Sequence, residues 1–302
     1  MLGVSRREFL GGAAGVAAAV ALPPSRNSRT ATAPLVGATV DLHSYAGVTN
    51  YVQAANILDG YVGMPLATTI QKFLLTSSVF PTSVDPKLTQ LSPDGCQFVV
   101  SVMPSTTLTS SAQTALSNYL AMLTKAGINY RVLLFSEAND TAFTSQQTWQ
   151  AYWSYYAPVI KDAGVSCAYC PGCNGQSIGR AEAFFPSNPT PDELWLDYYA
   201  TALRGGVKID KMIALAKAAG ISVGLAEWGW HAGKSFLAPM TMPWWTLYCN
   251  YLAHLAASGS FGLGAIYFDD SPGPHPVNAI GATNDPRIPG IKKVFSAIQT
   301  AR

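Results

Sequence analysis

The chain is short of charge: of 302 residues only 12% are Asp, Glu, Lys or Arg, against 49% hydrophobic. That is far from a disordered composition and enough for one large core. Histidine is scarce too, with only His43, His231, His254 and His275 and no H-x-H or H-x-x-x-H spacing, so a metal-dependent hydrolytic centre is not expected. There is no run of Lys or Arg, and the slight excess of positive charge sits at the start. Residues 1–33 carry a net +3 through Arg6, Arg7, Arg26 and Arg29 against Glu8, which leaves −1 for residues 34–302. A nucleic-acid partner is therefore not expected. Beyond the start, no apolar run reaches the roughly 20 residues a membrane-spanning helix needs. The Gly-rich turn of a dinucleotide fold is missing after the first apolar run, where the sequence reads Val40-Asp41-Leu42-His43-Ser44. Set against the G-x-S-x-G elbow of a serine hydrolase, Ala257-Ser258-Gly259-Ser260 lies at a helix exit and is discounted.

What is present begins with Ser5-Arg6-Arg7-Glu8-Phe9-Leu10, which resembles the twin-arginine export motif, followed by an Ala/Gly-rich apolar run of 14 residues, 9–22. Small-x-small sites follow at Ala19-Val20-Ala21 and Ala31-Thr32-Ala33. Residues 1–33 read as a leader, residues 34–302 as one domain, secreted and monomeric, with no membrane insertion once the leader is removed. Five cysteines remain, Cys96, Cys167, Cys170, Cys173 and Cys249. The C-x2-C-x2-C run lacks the fourth thiolate of an iron–sulfur motif. Export into an oxidising space predicts one or two disulfides with at least one thiol left over.

Eight strand-like apolar runs recur at 35–42, 70–75, 97–103, 130–135, 165–170, 194–199, 221–226 and 264–268. Between most of them lie helical patterns, clearest at 111–126 (Leu116, Leu120, Leu123) and 146–163 (Trp149, Trp153, Tyr156, Ile160). Thr144 and Gln147 fit a capping box for the second of these. Gly127, Gly164 and Gly220 sit where helices end and strands begin. Strands that are apolar throughout, alternating with helices, fit a parallel sheet, and eight of them in this length predict a single (β/α)8 barrel. Helices one and two, within 44–95, are poorly marked.

In such a barrel the C-terminal strand ends build the active site. Of four glutamates after residue 33, two stand at strand ends: Glu137 after the fourth strand and Glu227 at the end of the seventh. Glu182 and Glu193 read as loop residues. Two carboxylates facing one pocket, one protonated to assist a departing oxygen and one ionised to attack an anomeric carbon, are what glycosidic hydrolysis requires.

The motifs around them carry a family likeness. Glu137-Ala138-Asn139 resembles the Glu-x-Asn after strand four in several retaining glycoside hydrolases of clan A, which are (β/α)8 enzymes. Leu225-Ala226-Glu227-Trp228-Gly229 is similar to their strand-seven Glu-x-Gly. The helix ending Val159-Ile160-Lys161-Asp162-Ala163-Gly164 resembles the segment after the acid/base in family 26 mannanases, whose strand-six Asp-x-Tyr is matched by Asp197-Tyr198-Tyr199. Two departures stand out: Ser136 precedes Glu137 where the clan has Asn and family 26 His, and strand eight ends Tyr267-Phe268-Asp269-Asp270 without the usual Trp. The resemblance implies Glu227 as nucleophile and Glu137 as acid/base, with carboxyls about 5–5.5 Å apart. Tyr199 is then expected to bond Glu227, and Asp197 and Asn139 to meet sugar hydroxyls. Of Trp228 and Trp230 at most one stacks on a sugar, and His43 is a further substrate candidate. No cofactor or metal is implied. A non-catalytic carbohydrate-binding barrel is the alternative.

Overall fold

The computed structural model describes residues 34–40, 42, 45, 47–75, 78–139, 143–173, 177–229, 241–268, 280 and 282–301, all within one compact unit, Ala33–Arg302. Eight strands alternate with helices: β1 Leu35–Thr39, α1 Tyr51–Val62, β2 Ile70–Leu74, α2 Pro86–Leu91, β3 Gln97–Val102, α3 Ser110–Lys125, β4 Tyr130–Leu134, α4 Gln146–Asp162, β5 Cys167–Tyr169, α5 Ser177–Ala183, β6 Glu193–Tyr199, α6 Ala200–Arg204, α7 Asp210–Ala218, β7 Ser222–Gly229, α8 Met242–Ala257, β8 Gly264–Phe268 and α9 Ile288–Thr300. Every neighbouring pair is parallel, in the order β1-β8-β7-β6-β5-β4-β3-β2. β1 and β2 meet at the remaining seam, where the Lys72 amide donates to Thr39 Oγ1 at 3.2 Å. A Cβ on Gly37 would run into the Ile70 carbonyl there, so the seam requires a residue without one. The expected (β/α)8 barrel is the fold.

Each strand buries two faces. Ile70, Val99, Leu133, Ala168, Cys170, Trp195, Ala226 and Ile266 fill the barrel interior, while their sequence neighbours Phe98, Val100, Val132, Leu134, Leu194, Leu196, Leu225, Ala265 and Tyr267 pack outward in the larger core beneath the helices. That double burial is why the strands read as unbroken apolar runs. Trp149 and Trp153 of α4 are fully buried in the outer core, as their helical spacing implied.

Four expectations need correction. α4 is capped by Ser145, whose side chain accepts from the Thr148 amide at 3.1 Å, one residue after the predicted cap. Glu193 is no loop residue: it opens β6, 2% exposed, where both its oxygens meet Arg131 Nη1 at 3.2–3.3 Å and one accepts from Trp195 Nε1 at 2.8 Å. This cluster plugs the N-terminal end of the barrel. Glu182 lies in α5, 3.9 Å from Lys211. The disulfide expectation also fails, since all five cysteines are free and buried. Cys167 packs in the outer core and Cys170 inside the barrel. Three residues of extended chain also separate them by roughly 10 Å, past the reach of a disulfide.

Candidate active site

Alternation along β6 sends Trp195 inward, Leu196 outward and Asp197 inward, with Tyr198 out in the helix-facing core and Tyr199 in again. β7 starts the same way, with Leu225 outward and Ala226 inward. Glu227 would then point outward, yet it does not. The register with β6 runs from Leu196↔Leu225 to Asp197↔Glu227, and with β8 from Leu225↔Ala265 to Trp228↔Tyr267, so β7 carries one extra residue against both neighbours. This bulge re-aims Glu227 into the barrel beside Asp197 and returns Trp228 to the outer core.

At the end of β7 both Glu227 oxygens are engaged. Oε1 accepts from Lys72 Nζ at 2.5 Å, and Oε2 accepts from the Tyr199 hydroxyl. Lys72 comes from the middle of β2, registered with the interior Val99, and its ammonium also lies 3.3–3.4 Å from both Asp197 oxygens. Desolvation works to lower the Lys72 pKa, but Asp197 and Glu227 together outweigh it and hold the ammonium well above its usual range. Asp197 is pushed well above the carboxylate range, first by burial and then by the charges of Glu227 and Glu137, against the opposing pull of Lys72. Two carboxylates around one cation cannot both be fully satisfied. Burial, then the charges of Glu227, Asp197 and Glu137, push the Tyr199 phenol up, so it remains a donor.

Glu137 follows β4. It and Phe135 are the non-glycine residues of the described chain with positive φ, 56° and 59°, a left-handed kink that turns the chain sharply at the rim. The Glu137 amide donates to the Cys170 carbonyl at 2.7 Å, and its side chain lies over Gly172, where an added Cβ would fall 2.9 Å from Oε1. Gly172 bridges to Asp197. The ends of β4, β5, β6 and β7 are thus contiguous, and the charges of both glutamates are felt at Asp197 and Tyr199. A chain of small polar groups underlies them: Ser101 and Ser136 share a 2.8 Å hydrogen bond, and the Cys170 thiol lies near both Ser136 and Asp197.

Other candidates fall elsewhere. Asn139 is fully buried and spends its side chain on backbone, donating to the Gly172 and Ser177 carbonyls and accepting from the Gly172 amide, each at 2.9 Å. It staples the β4 and β5 loops and has no edge left for a sugar. Trp228 is fully buried, its ring parallel to Trp245 at 6.2 Å and edge-on to Tyr267 and Phe295, so it offers no face to substrate. Asp197 is 2% exposed and committed to Lys72. Of the two indoles that open α8, Trp245 is buried and Trp244 exposed. His43, Trp230, Asp269 and Asp270 lie outside the described residues. Lys72 was missed by sequence reasoning; the one signal was a lysine inside the otherwise strand-like Ile70-Gln71-Lys72-Phe73-Leu74.

Comparison with known proteins fits this geometry. Residues 3–23 match the twin-arginine translocation pathway signal sequence, so the chain is exported by that pathway, to the periplasm or beyond. No curated protein matches by sequence. Among solved structures, the fold is similar to the catalytic domain of the Bacillus sp. JAMB-750 GH26 endo-β-1,4-mannanase (13% identity, 87% of this chain and 86% of that one, TM-score 0.61). It is similar also to the Bacillus subtilis mannanase BCman (15%, 90% and 86%, 0.52). A third is a GH128 endo-β-1,3-glucanase from Amycolatopsis mediterranei in complex with laminaritriose (13%, 90% and 100%, 0.51). The barrel is therefore of the kind shared by family 26 mannanases and other clan A glycoside hydrolases, in agreement with the resemblance in the sequence.

Proposed function

We propose that residues 34–302 form the monomeric catalytic domain of an exported retaining glycoside hydrolase, needing no cofactor, that cleaves β-linked polysaccharide of the mannan, glucan or xylan type. The observation that carries this reading is Glu227, turned into the barrel by a bulge and held between Lys72 and Tyr199 on one rim with Glu137. Glu227 attacks the anomeric carbon while Glu137 gives its proton to the bridging oxygen; Glu137 then takes a proton from the water that releases the sugar. Solved structures with the same fold include a mannanase and a β-1,3-glucanase, which supports the class of substrate. Ser136 and its bond to Ser101 favour a second reading, a barrel that binds glycans without cutting them.

One assay separates the two. Purified protein is incubated with β-mannan, β-glucan and xylan, and reducing ends are counted. Cleavage of one polymer is expected, with Glu137→Gln and Glu227→Gln each lowering the rate by about 100-fold or more. Binding without new reducing ends would establish the lectin-like reading, and full activity in Glu227→Gln would remove the assigned nucleophile.

A further inference from the structure

One ammonium serves two carboxylates at the floor of the site. Lys72 Nζ lies 2.5 Å from Glu227 and 3.3 Å from Asp197, and the side-chain exposures of the three are 2%, 14% and 1%. Asp197 and Glu227 are registered partners on β6 and β7. The other titratable groups that face them are Cys170 just after β5, Tyr199 from β6 and Glu137 after β4.

Resting on the assignment of Glu227 as nucleophile, the chemistry changes this balance. A bond forms between a Glu227 oxygen and the anomeric carbon, the bond from that carbon to the bridging oxygen breaks, and the oxygen leaves with the proton of Glu137. Glu227 is now a neutral ester. A buried cation left without a partner is costly, and here a second carboxylate is already within reach. We propose that Asp197 is the counter-ion of Lys72 during the life of the glycosyl ester, the ammonium passing from Glu227 to Asp197 as the ester forms and returning when water cleaves it. Asp197 is then a positioning residue acting through Lys72, which accounts for a carboxylate sealed beneath the site, where sugar hydroxyls do not reach.

The test uses the wild type, Asp197→Asn and the double variant Lys72→Met/Asp197→Asn. Each is treated with activated fluorosugar β-glycosides of glucose, mannose and xylose, which trap a glycosyl ester, and the adduct is followed by intact mass. Asp197→Asn folds, because the resting ammonium keeps Glu227, and it labels about 100-fold more slowly, since its ester strands a buried cation. The double variant has no cation to strand and labels at least about tenfold faster than Asp197→Asn, a coupling of the kind double-mutant cycles isolate. A purely structural Asp197 gives no such reversal. Wild-type labelling rates in Asp197→Asn, a double variant no faster than it, or failure of Asp197→Asn to fold each overturn the proposal. Normal labelling of Asp197→Asn alongside dead glutamate variants sinks this inference alone, whereas a wild type that takes up no label sinks the hydrolase reading with it.

Discussion

Gly172 sets where the Glu137 carboxylate rests. The bridge to Asp197 holds its backbone, so a methyl group at this position has to displace Oε1 and Cγ of Glu137, which lie 2.9 and 3.3 Å from the ideal Cβ. Gly172→Ala is therefore expected to cut turnover on the polysaccharide by about 10–100-fold, the scale of an ångström's misplacement of a catalytic group, while leaving the melting temperature close to that of the parent; normal turnover would show that Glu137 is not held against Gly172 during catalysis. Asn139 predicts the opposite pattern. Removing its amide takes a donor from the Gly172 and Ser177 carbonyls, the first of which keeps the Ser177 hydroxyl, and strands the buried Gly172 amide. Asn139→Ala should therefore lose about 2–3 kcal/mol of stability without a selective rise in KM. A denaturant melt paired with Michaelis kinetics distinguishes the roles, and a KM effect at unchanged stability would return Asn139 to the substrate. At this scale the sequence marks which acids matter, because glutamate is scarce and two of four end strands. It does not mark Lys72: its two carboxylate partners are 125 and 155 residues away, and only barrel closure brings them together.

β7 shows what an element adds. With regular alternation Glu227 would face α8 and Trp228 would enter the barrel, and the one extra residue around Ala226 reverses both. Deleting Ala226 removes the extra residue and lets plain alternation after Leu225 point Glu227 inward, still paired with Asp197 and with Trp228 outward. The deletion should therefore fold and retain measurable hydrolysis, at a lower melting temperature because the inward methyl is lost and the strand must retighten. Ala226→Gly keeps the residue count and should retain most activity. A folded deletion variant without any hydrolysis would show that pairing with Asp197 does not set the direction of Glu227. The eight strands were legible because burial on two faces makes each an apolar run, and α3 and α4 because their stripes repeat over about two and three turns. α1 and α2 were not. α1 has Gly60 inside it, and α2 has only six residues, though both carry side-chain caps, Asn50 and Asp85, the latter ahead of Pro86. The bulge was illegible for a different reason: it exists only relative to the register of β6 and β8, and Leu225-Ala226-Glu227-Trp228 holds no Gly or Pro to mark an extra residue.

For the molecule as a whole, the buried thiols predict alkaline weakness. Burial pushes Cys96 up to about 12 and raises Cys167, Cys170, Cys173 and Cys249 as well. In the unfolded chain these thiols ionise at about pH 8.5. Above that point the unfolded chain has released protons that the folded chain retains, so stability falls as pH rises; it is fully present below the unfolded value and lost on the way to the folded ones. Lys72, also raised, adds to the loss only at higher pH, as the solution climbs through its folded value. Each thiol costs about 1.4 kcal/mol per pH unit in that window. Five of them remove several kcal/mol by about pH 10, a large part of the 5–15 kcal/mol typical of a folded domain. The melting temperature should therefore hold from about pH 6 to 8 and drop steeply from about pH 9 to 10. A thiol reagent should find no reactive cysteine in the native protein at neutral pH and all five after unfolding. Because no disulfide links the folded chain, adding a reductant should leave the whole curve where it was. A melting temperature level through about pH 10, or one that falls on reduction, would show that the thiols are neither protonated by burial nor free.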